Sequence, residues 1–300
     1  MSDLDPNLIF DLIATELPND LHDHVLIVGS LAAAYHYRER LLIDAINTKD
    51  ADVVVQPAGA IDQCKTIANR LLAAGWYRRT GCAAQTRCDD LDALEVIRLH
   101  PPSSNAYFLE LLAFPAATQT TAKELIPIEL LDGWYVLPAF RHLRLLAVDQ
   151  RVATQGLRYA APQTMALSNL LAHRSIGTRP ISEPIEGRTL LRAAKDLGRV
   201  LALARLARRD ELDAWPESWA TALRDTYPET EVAELGAHAG DGLRELLTNA
   251  QALEDAHFAV DLGLLRGHSV SVDQVRAVAE QLLDGALMRL AELTAPTRRR

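Results

Sequence analysis

The sequence predicts an α+β fold, in which an N-terminal mixed β-sheet with flanking helices is followed by an all-α region. Two observations lead to this prediction. Short apolar runs that end at glycine, proline or serine alternate with helical patterns over roughly the first half of the 300 residues. From about residue 139 onward, apolar residues recur at helical spacing with almost no strand signal. We therefore expect an α+β domain over residues 1–150 and a helical domain over residues 151–300.

Apolar spacing, turn residues and caps place the individual elements. Asp5 is available as the N-cap of the first helix, and Gly75 stands where a glycine commonly ends a helix. Helices are predicted over residues 6–16, 31–42, 60–74, 190–206 and 275–293. Strands are predicted over residues 24–28, 51–55, 76–79, 94–99, 107–114 and 134–137.

Composition narrows the class of protein. The net charge of −9 argues against a protein that coats nucleic acid without specificity, because such proteins usually present a basic face. The N-terminus lacks a signal-peptide pattern, and no apolar run approaches the roughly 20 residues that span a bilayer. Cys64, Cys82 and Cys88 have neither disulfide-framework nor zinc-ligand spacing, so we expect reduced thiols and no structural zinc. A cytoplasmic protein without a membrane partner is expected.

The segment 25–30 combines a buried strand with a Gly-Ser turn. Gly29 and Ser30 follow four aliphatic residues and run directly into the next helix. Backbone N–H groups, a hydroxyl and the positive end of a helix dipole then face the same point, which suits a phosphate. Most Gly-Ser turns merely connect elements, so the turn predicts a phosphate site only together with other features.

Two aspartates begin the strand predicted next along the chain. Asp50 and Asp52 are two residues apart, so in a strand their side chains lie on one face. Adjacent carboxylates repel each other, and Mg²⁺ supplies the compensating charge while also binding substrate phosphate oxygens. The alternative interpretation is a polar strand end at the protein surface.

A third carboxylate, Glu110, interrupts the otherwise apolar run 107–114. A lone buried carboxylate is costly unless it is paired or bound to metal. Three carboxylates on neighbouring strands around two Mg²⁺ ions form a nucleotidyl-transfer site, with the ions about 3.5–4 Å apart. The alternative is that Glu110 lies on a solvated strand face or pairs with an arginine, for example Arg98.

This ordered set of motifs resembles the DNA polymerase β-like nucleotidyltransferase superfamily. The set is Gly29-Ser30, a helix, Thr48-Lys49-Asp50-Ala51-Asp52 with aliphatics after it, and an apolar strand carrying Glu110. Within the superfamily the chain looks like stand-alone bacterial members, including abortive-infection-type toxins. Weaker similarity extends through residues 157–174 and Lys195-Asp196-Leu197, so the resemblance covers about residues 24–205.

The resemblance implies a specific activity and ligand set. It implies transfer of a nucleoside monophosphate from an NTP, for example ATP, to an acceptor hydroxyl on an RNA end, a protein or a small molecule. Asp50, Asp52 and Glu110 would be the catalytic residues and the ligands of two Mg²⁺ ions, with Mn²⁺ as a substitute. Gly29 and Ser30 would bind the nucleotide, with Lys195 as the cation facing its phosphates.

The chain also departs from the family pattern, which keeps other functions open. Asn169 stands where the family's helix carries a lysine, and the gap from Ser30 to Asp50 is long. The main alternative is therefore a catalytically inert nucleotide- or protein-binding module on the same fold. A nucleotide-sugar glycosyltransferase also uses an Asp-x-Asp motif, but such enzymes place far more chain before it.

Overall fold

A computed structural model gives the fold as two compact units. It describes residues 3–43, 46–48, 50–78, 90–104, 107–131, 133–181 and 186–296. The first unit comprises Met1–Tyr35, Ala45–Arg144 and Gln150–Ala160, and the second comprises His36–Asp44, Leu145–Asp149 and Ala161–Arg300. All the described strands belong to the first unit, whereas the second unit is helical, so the predicted fold class is confirmed.

The first unit contains ten strands and four α-helices in its described residues. The strands are β1 (Asp3–Leu4), β2 (Val25–Ile27), β3 (Ile46–Asn47), β4 (Asp50–Val55), β5 (Arg98–Leu99), β6 (Phe108–Ala113), β7 (Lys123–Leu130), β8 (Gly133–Phe140), β9 (Gln150–Val152) and β10 (Arg158–Ala160). The helices are α1 (Pro6–Glu16), α2 (Asn19–His22), α3 (Gly29–His36) and α4 (Ile61–Ala73). Along the chain, short 3₁₀ turns lie at Arg38–Arg40, Leu91–Ala93 and Arg141–Ala147.

Six strands form a mixed sheet in the order β5-β6-β4-β2-β10-β9. Strand β2 runs antiparallel to β4, with Ile27 opposite Val53, and β4 runs parallel to β6. The end of β2 and the beginnings of β4 and β6 therefore meet at one edge of the sheet. Strands β7 and β8 form a separate hairpin, and β1 pairs with β3.

Apolar packing holds helices α1 and α3 against the sheet. Phe10 of α1 stacks on Tyr35 of α3 with 4.0 Å between the ring centroids, and both rings contact Tyr159 of β10 edge-on. Phe10 is fully buried, and complete burial of such a side chain stabilises the fold by about 1.5–3 kcal/mol. This cluster anchors α3, and with it the turn at Gly29.

The local sequence signals placed several elements correctly. Helix α1 spans the predicted residues, and the Asp5 side chain accepts a hydrogen bond from the Asn7 N–H at 2.8 Å, as expected of an N-cap. The predictions of strands β2, β4 and β6 and of helix α4 are confirmed to within one or two residues. Gly75 follows α4 with a φ of 90°, the left-handed conformation predicted for it.

Other element predictions were wrong or incomplete. Strands β7, β9 and β10 are not among the predicted strands, yet β10 pairs in parallel with the central strand β2. Of the predicted strand 76–79 the structure describes residues 76–78, which form a bridge between Tyr77 and His100 and no longer strand. Helix α3 ends at His36, where the sequence predicts helix to residue 42. Strands β9 and β10 lack an aliphatic run like that of β2, so pairing within the sheet decides them. The eight-residue β7 contains Pro127, and a proline argues against a strand.

The second unit consists of nine α-helices in its described residues. They are α5 (Pro162–Ile176), α6 (Arg192–Leu206), α7 (Arg209–Asp213), α8 (Trp215–Thr226), α9 (Glu229–His238), α10 (Asp241–Thr248), α11 (Ala250–Leu262), α12 (Val272–Leu282) and α13 (Met288–Thr294). A π-helical turn, Leu283–Leu287, joins α12 to α13, so the helix predicted over 275–293 is interrupted there. Trp219 of α8 is fully buried and donates a hydrogen bond to the Gln163 carbonyl at 2.7 Å.

Two sequence-based expectations concern membranes and cysteines. Within the described parts of the chain, every helix is too short or too polar to cross a lipid bilayer. Cys64 is buried on α4 as a free thiol, and burial raises its pKa to about 12, so the thiol stays protonated. Cys82 and Cys88 lie outside the described residues.

Candidate active site

The turn at Gly29 and Ser30 stands where β2 meets α3. Gly29 begins the eight-residue helix with a φ of 72°, a conformation that favours glycine. The Val28 N–H donates to the Asp52 carbonyl at 3.0 Å, which joins this turn to strand β4. The first N–H groups of any α-helix lack a carbonyl partner within the helix, and such groups suit an anion. The structure therefore places a helix start beside the aspartate-bearing strand.

The Asp52 carboxylate packs directly against the Gly29 backbone. A Cβ atom built on Gly29 would lie 2.8 Å from Oδ2 of Asp52, closer than real Cβ contacts allow. Glycine is thus required here for two reasons, its positive φ and this close approach. A carboxylate near a helix N-terminus is also favoured by the helix dipole, typically by about 0.3–1 kcal/mol.

Asp50 and Asp52 lie on one face of β4, as the spacing predicted. Both are half-buried, whereas Ala51 between them is fully buried on the other face. Thr48 donates from its hydroxyl to Oδ1 of Asp50 at 2.5 Å, and this contact orients the Asp50 carboxylate. Sequence reasoning assigned Thr48 no role of its own. A threonine two residues before an aspartate is a local signal for such a contact.

Glu110 is the strand neighbour of Asp52. The parallel pairing of β4 and β6 sets Asp52 opposite Glu110 and Asp50 opposite Phe108. Leu109 is buried while Phe108 and Glu110 are half-buried, so strand alternation puts Glu110 on the face that carries the two aspartates. The register thus brings all three predicted carboxylate residues to one face at one edge of the sheet.

Glu110 also forms an ion pair with Arg98 of β5. The Arg98 Nε atom lies 2.7 Å from the Glu110 Oε2 atom, and the glutamate side chain is 16% exposed. This is the pairing that the sequence left open as an alternative to metal binding. The two roles are compatible when a carboxylate uses one oxygen for each partner, since a carboxylate has about four lone-pair sites.

The aspartate pair fits a cation that a nucleotide brings with it. Among the described residues, no group of three or more His, Cys, Asp or Glu side chains is arranged to hold a metal ion by itself. Mg²⁺ commonly binds through one or two carboxylates together with substrate phosphates and water. Asp50 and Asp52, on one face beside a helix start, meet that requirement. A preformed cage of protein ligands is not needed.

Lys195 and Asn169 belong to the second unit. Lys195 lies on α6 and Asn169 on α5, and both residues are half-buried. The neighbouring Asp196 forms an ion pair with Arg192 at 3.6 Å along α6. The nucleotide-binding role of Lys195 stays a prediction.

Comparisons with known proteins give little further information. No protein-family model matches the sequence, and no curated protein matches it. One similar solved structure is a STING-associated CdnE c-di-GMP synthase from Capnocytophaga granulosa, which is 12% identical over 96% of this chain and 80% of that protein. The TM-score is 0.22, so this likeness supports no inference about fold or activity.

Proposed function

We propose that this protein is a Mg²⁺-dependent nucleotidyltransferase that transfers a nucleoside monophosphate from an NTP to an acceptor hydroxyl. The observation that carries the proposal is that the Asp52 carboxylate packs directly against Gly29 at the start of α3. Asp50 and Asp52 lie on the same face of β4, and Glu110 of β6 is the register neighbour of Asp52. Three acids and a helix N-terminus at one sheet edge suit a triphosphate and its cations.

The proposed chemistry assigns one task to each group. Asp50, Asp52 and Glu110 would hold two Mg²⁺ ions, or Mn²⁺ in their place, and the ions supply positive charge where the α-phosphate gains negative charge. The backbone N–H groups at Gly29 and Ser30 would bind the β- and γ-phosphates. The acceptor oxygen forms a bond to the α-phosphorus and loses its proton, while the bond from the α-phosphorus to the bridging oxygen breaks and releases pyrophosphate.

A labelling experiment tests the proposal. The purified protein is incubated with each α-labelled NTP, with Mg²⁺ or Mn²⁺, and with a cell extract as the source of acceptor. We expect pyrophosphate release and label in one acceptor fraction, for at least one NTP. Absence of both with all four NTPs and both cations, together with no thermal stabilisation by Mg²⁺-NTP, contradicts the proposal.

An inert nucleotide-binding module is the second candidate. Asn169 stands where the family resemblance leads us to expect a lysine, and this observation favours the inert candidate. The same experiment separates the two functions. An inert module gains thermal stability with Mg²⁺-NTP, by about 2.7 kcal/mol at a ligand concentration of 100 times Kd, but releases no pyrophosphate.

The phosphate-binding residues give a prediction about affinity. Ser30→Ala should weaken NTP binding at least about tenfold, because the hydrogen bond from the hydroxyl to a charged phosphate, about 1.5–3 kcal/mol, is lost. Calorimetric titration with Ca²⁺-NTP, in which turnover is suppressed, measures the change. Lys123→Ala, which removes an exposed lysine of strand β7, is the control and should leave Kd unchanged. Equal affinity for wild type and Ser30→Ala would place the triphosphate elsewhere.

A further inference from the structure

A row of aromatic side chains extends across the sheet from the carboxylates. Phe108 on β6 is the register neighbour of Asp50, His100 follows β5, and Tyr77 forms a bridge with His100. We name Phe108, His100 and Tyr77 the aromatic row. The next register level holds Asp52, Glu110 and Arg98, which are strand neighbours in that order. Thus the carboxylate site and the aromatic row are adjacent levels of one sheet face.

Direct contacts show that the row is continuous. The rings of Tyr77 and His100 stack with 5.6 Å between centroids and 24° between planes. His100 and Phe108 meet edge-on, also with 5.6 Å between centroids. Two backbone hydrogen bonds of 2.8 and 2.9 Å join Tyr77 to His100 and hold the register. On the opposite face, Leu99 and Leu109 are buried, so the sheet core supports the row from behind.

The two ends of the row are accessible to a ligand. Tyr77 is 39% exposed, and Phe108 is half-buried. His100 between them is only 5% exposed and acts as the packed centre. Part of the aromatic surface at both ends of the row therefore stays in contact with solvent, where a planar group can stack on it.

Arg98 connects the aromatic row to the carboxylate site. Its guanidinium carbon lies 5.1 Å from the centroid of the Phe108 ring, while its Nε atom contacts Glu110. Arginine at such a position stacks on aromatic rings and on bases, and it also pairs with phosphates. A ligand with a planar ring and an attached phosphate would stack on Phe108 and pair its phosphate with Arg98, next to Glu110.

We propose that the aromatic row and Arg98 bind the nucleobase of the acceptor, so that the attacking hydroxyl belongs to a nucleotide or to the end of a single-stranded RNA. This inference rests on the proposed nucleotidyltransferase function, because it specifies the acceptor of that reaction. Every base presents a flat π-face to an aromatic side chain, and such stacking needs no base-specific hydrogen bonds. Arg98 beside these rings also offers a cation to the phosphate that a nucleotide acceptor carries and that a serine or threonine acceptor lacks.

A binding experiment tests the stacking site without requiring catalysis. The probe is 2-aminopurine riboside 5′-monophosphate, whose fluorescence falls when its base stacks, in buffer without divalent cations or NTP. We expect saturable quenching by wild type. Tyr77→Ala should raise Kd at least about fivefold, the lower end of the loss of one base–aromatic stack, whereas Tyr77→Phe keeps the ring and should restore binding. Phe258→Ala is the control, because it removes a half-buried aromatic ring outside the sheet, on helix α11.

The outcomes separate this inference from the proposed function. The inference is overturned if the probe binds wild type and Tyr77→Ala with the same Kd. The same holds if the substitution lowers the melting temperature but leaves Kd unchanged. Labelling of a protein acceptor in the turnover assay also overturns it. Quenching that persists in Asp52→Asn while turnover is lost supports both. The same titration is repeated with a single-stranded RNA that carries 2-aminopurine at its 3′ end. Of the RNA and the mononucleotide, the probe with the lower Kd identifies the acceptor.

Discussion

Asp52→Asn should lower the rate of nucleotidyl transfer by at least about a hundredfold, the usual effect of losing one strong electrostatic contact to a transition state. Asparagine keeps the shape of the side chain but removes the negative charge that would hold a Mg²⁺ ion against the α-phosphate. The fold should persist, since the bond that the Asp52 carbonyl accepts from Val28 belongs to the backbone. Pyrophosphate release at saturating NTP measures the change.

Two controls accompany this variant: its free energy of unfolding, and the same substitution at an aspartate outside the site. The free energy of unfolding without metal should change by less than about 1 kcal/mol, because relief of the repulsion between Asp50 and Asp52 offsets the lost attraction between the Asp52 charge and the start of α3. Asp92→Asn neutralises an exposed aspartate outside the site and should turn over at the wild-type rate. A turnover rate for Asp52→Asn within a few-fold of wild type would exclude Asp52 from the chemistry.

Gly29→Ala should lower activity by about a hundredfold, comparable to the effect of a misplacement of about 1 Å at a reacting centre. The added Cβ atom would stand 2.8 Å from the Asp52 Oδ2 atom, so the carboxylate must move away from the helix start. Alanine at a φ of 72° also costs about 1–2 kcal/mol of stability. Turnover and denaturant unfolding of the same preparation measure the two effects separately.

Gly59 provides the matched control for Gly29. It has a φ of 81°, and a Cβ atom added there meets no atom within 4 Å. Gly59→Ala should therefore lose about 1–2 kcal/mol of stability, like Gly29→Ala, but keep full activity. Similar activity losses in the two variants would mean that backbone strain, and not displacement of Asp52, explains the effect at Gly29.

Local signals in the sequence were sufficient for much of the fold. The N-cap at Asp5, the glycine after α4 and the aliphatic runs of β2 and β4 act over a few residues, and the structure agrees with them. The strands β9 and β10 were missed because they lack such an aliphatic run, and their stability comes from pairing within the sheet.

Local sequence signals also place some residues of the candidate site, whereas strand pairing places the others. The pattern of Gly29, Asp50 and Asp52 is local, and period-two alternation by itself puts the two aspartates on one face of a strand. The position of Glu110 beside Asp52 depends on the register between β4 and β6, and a shift by one residue would turn Glu110 to the buried face.

The sequence by itself determined the α+β class, the helix start at the Gly-Ser turn and the shared face of Asp50 and Asp52, because propensity, capping and alternation are properties of neighbouring residues. Only the tertiary structure decided that the Asp52 carboxylate rests on Gly29, that Arg98 pairs with Glu110, and that Tyr77, His100 and Phe108 form one row. These contacts join segments far apart in the chain. Strand register and ring packing set them, and neither leaves a local pattern in one sequence.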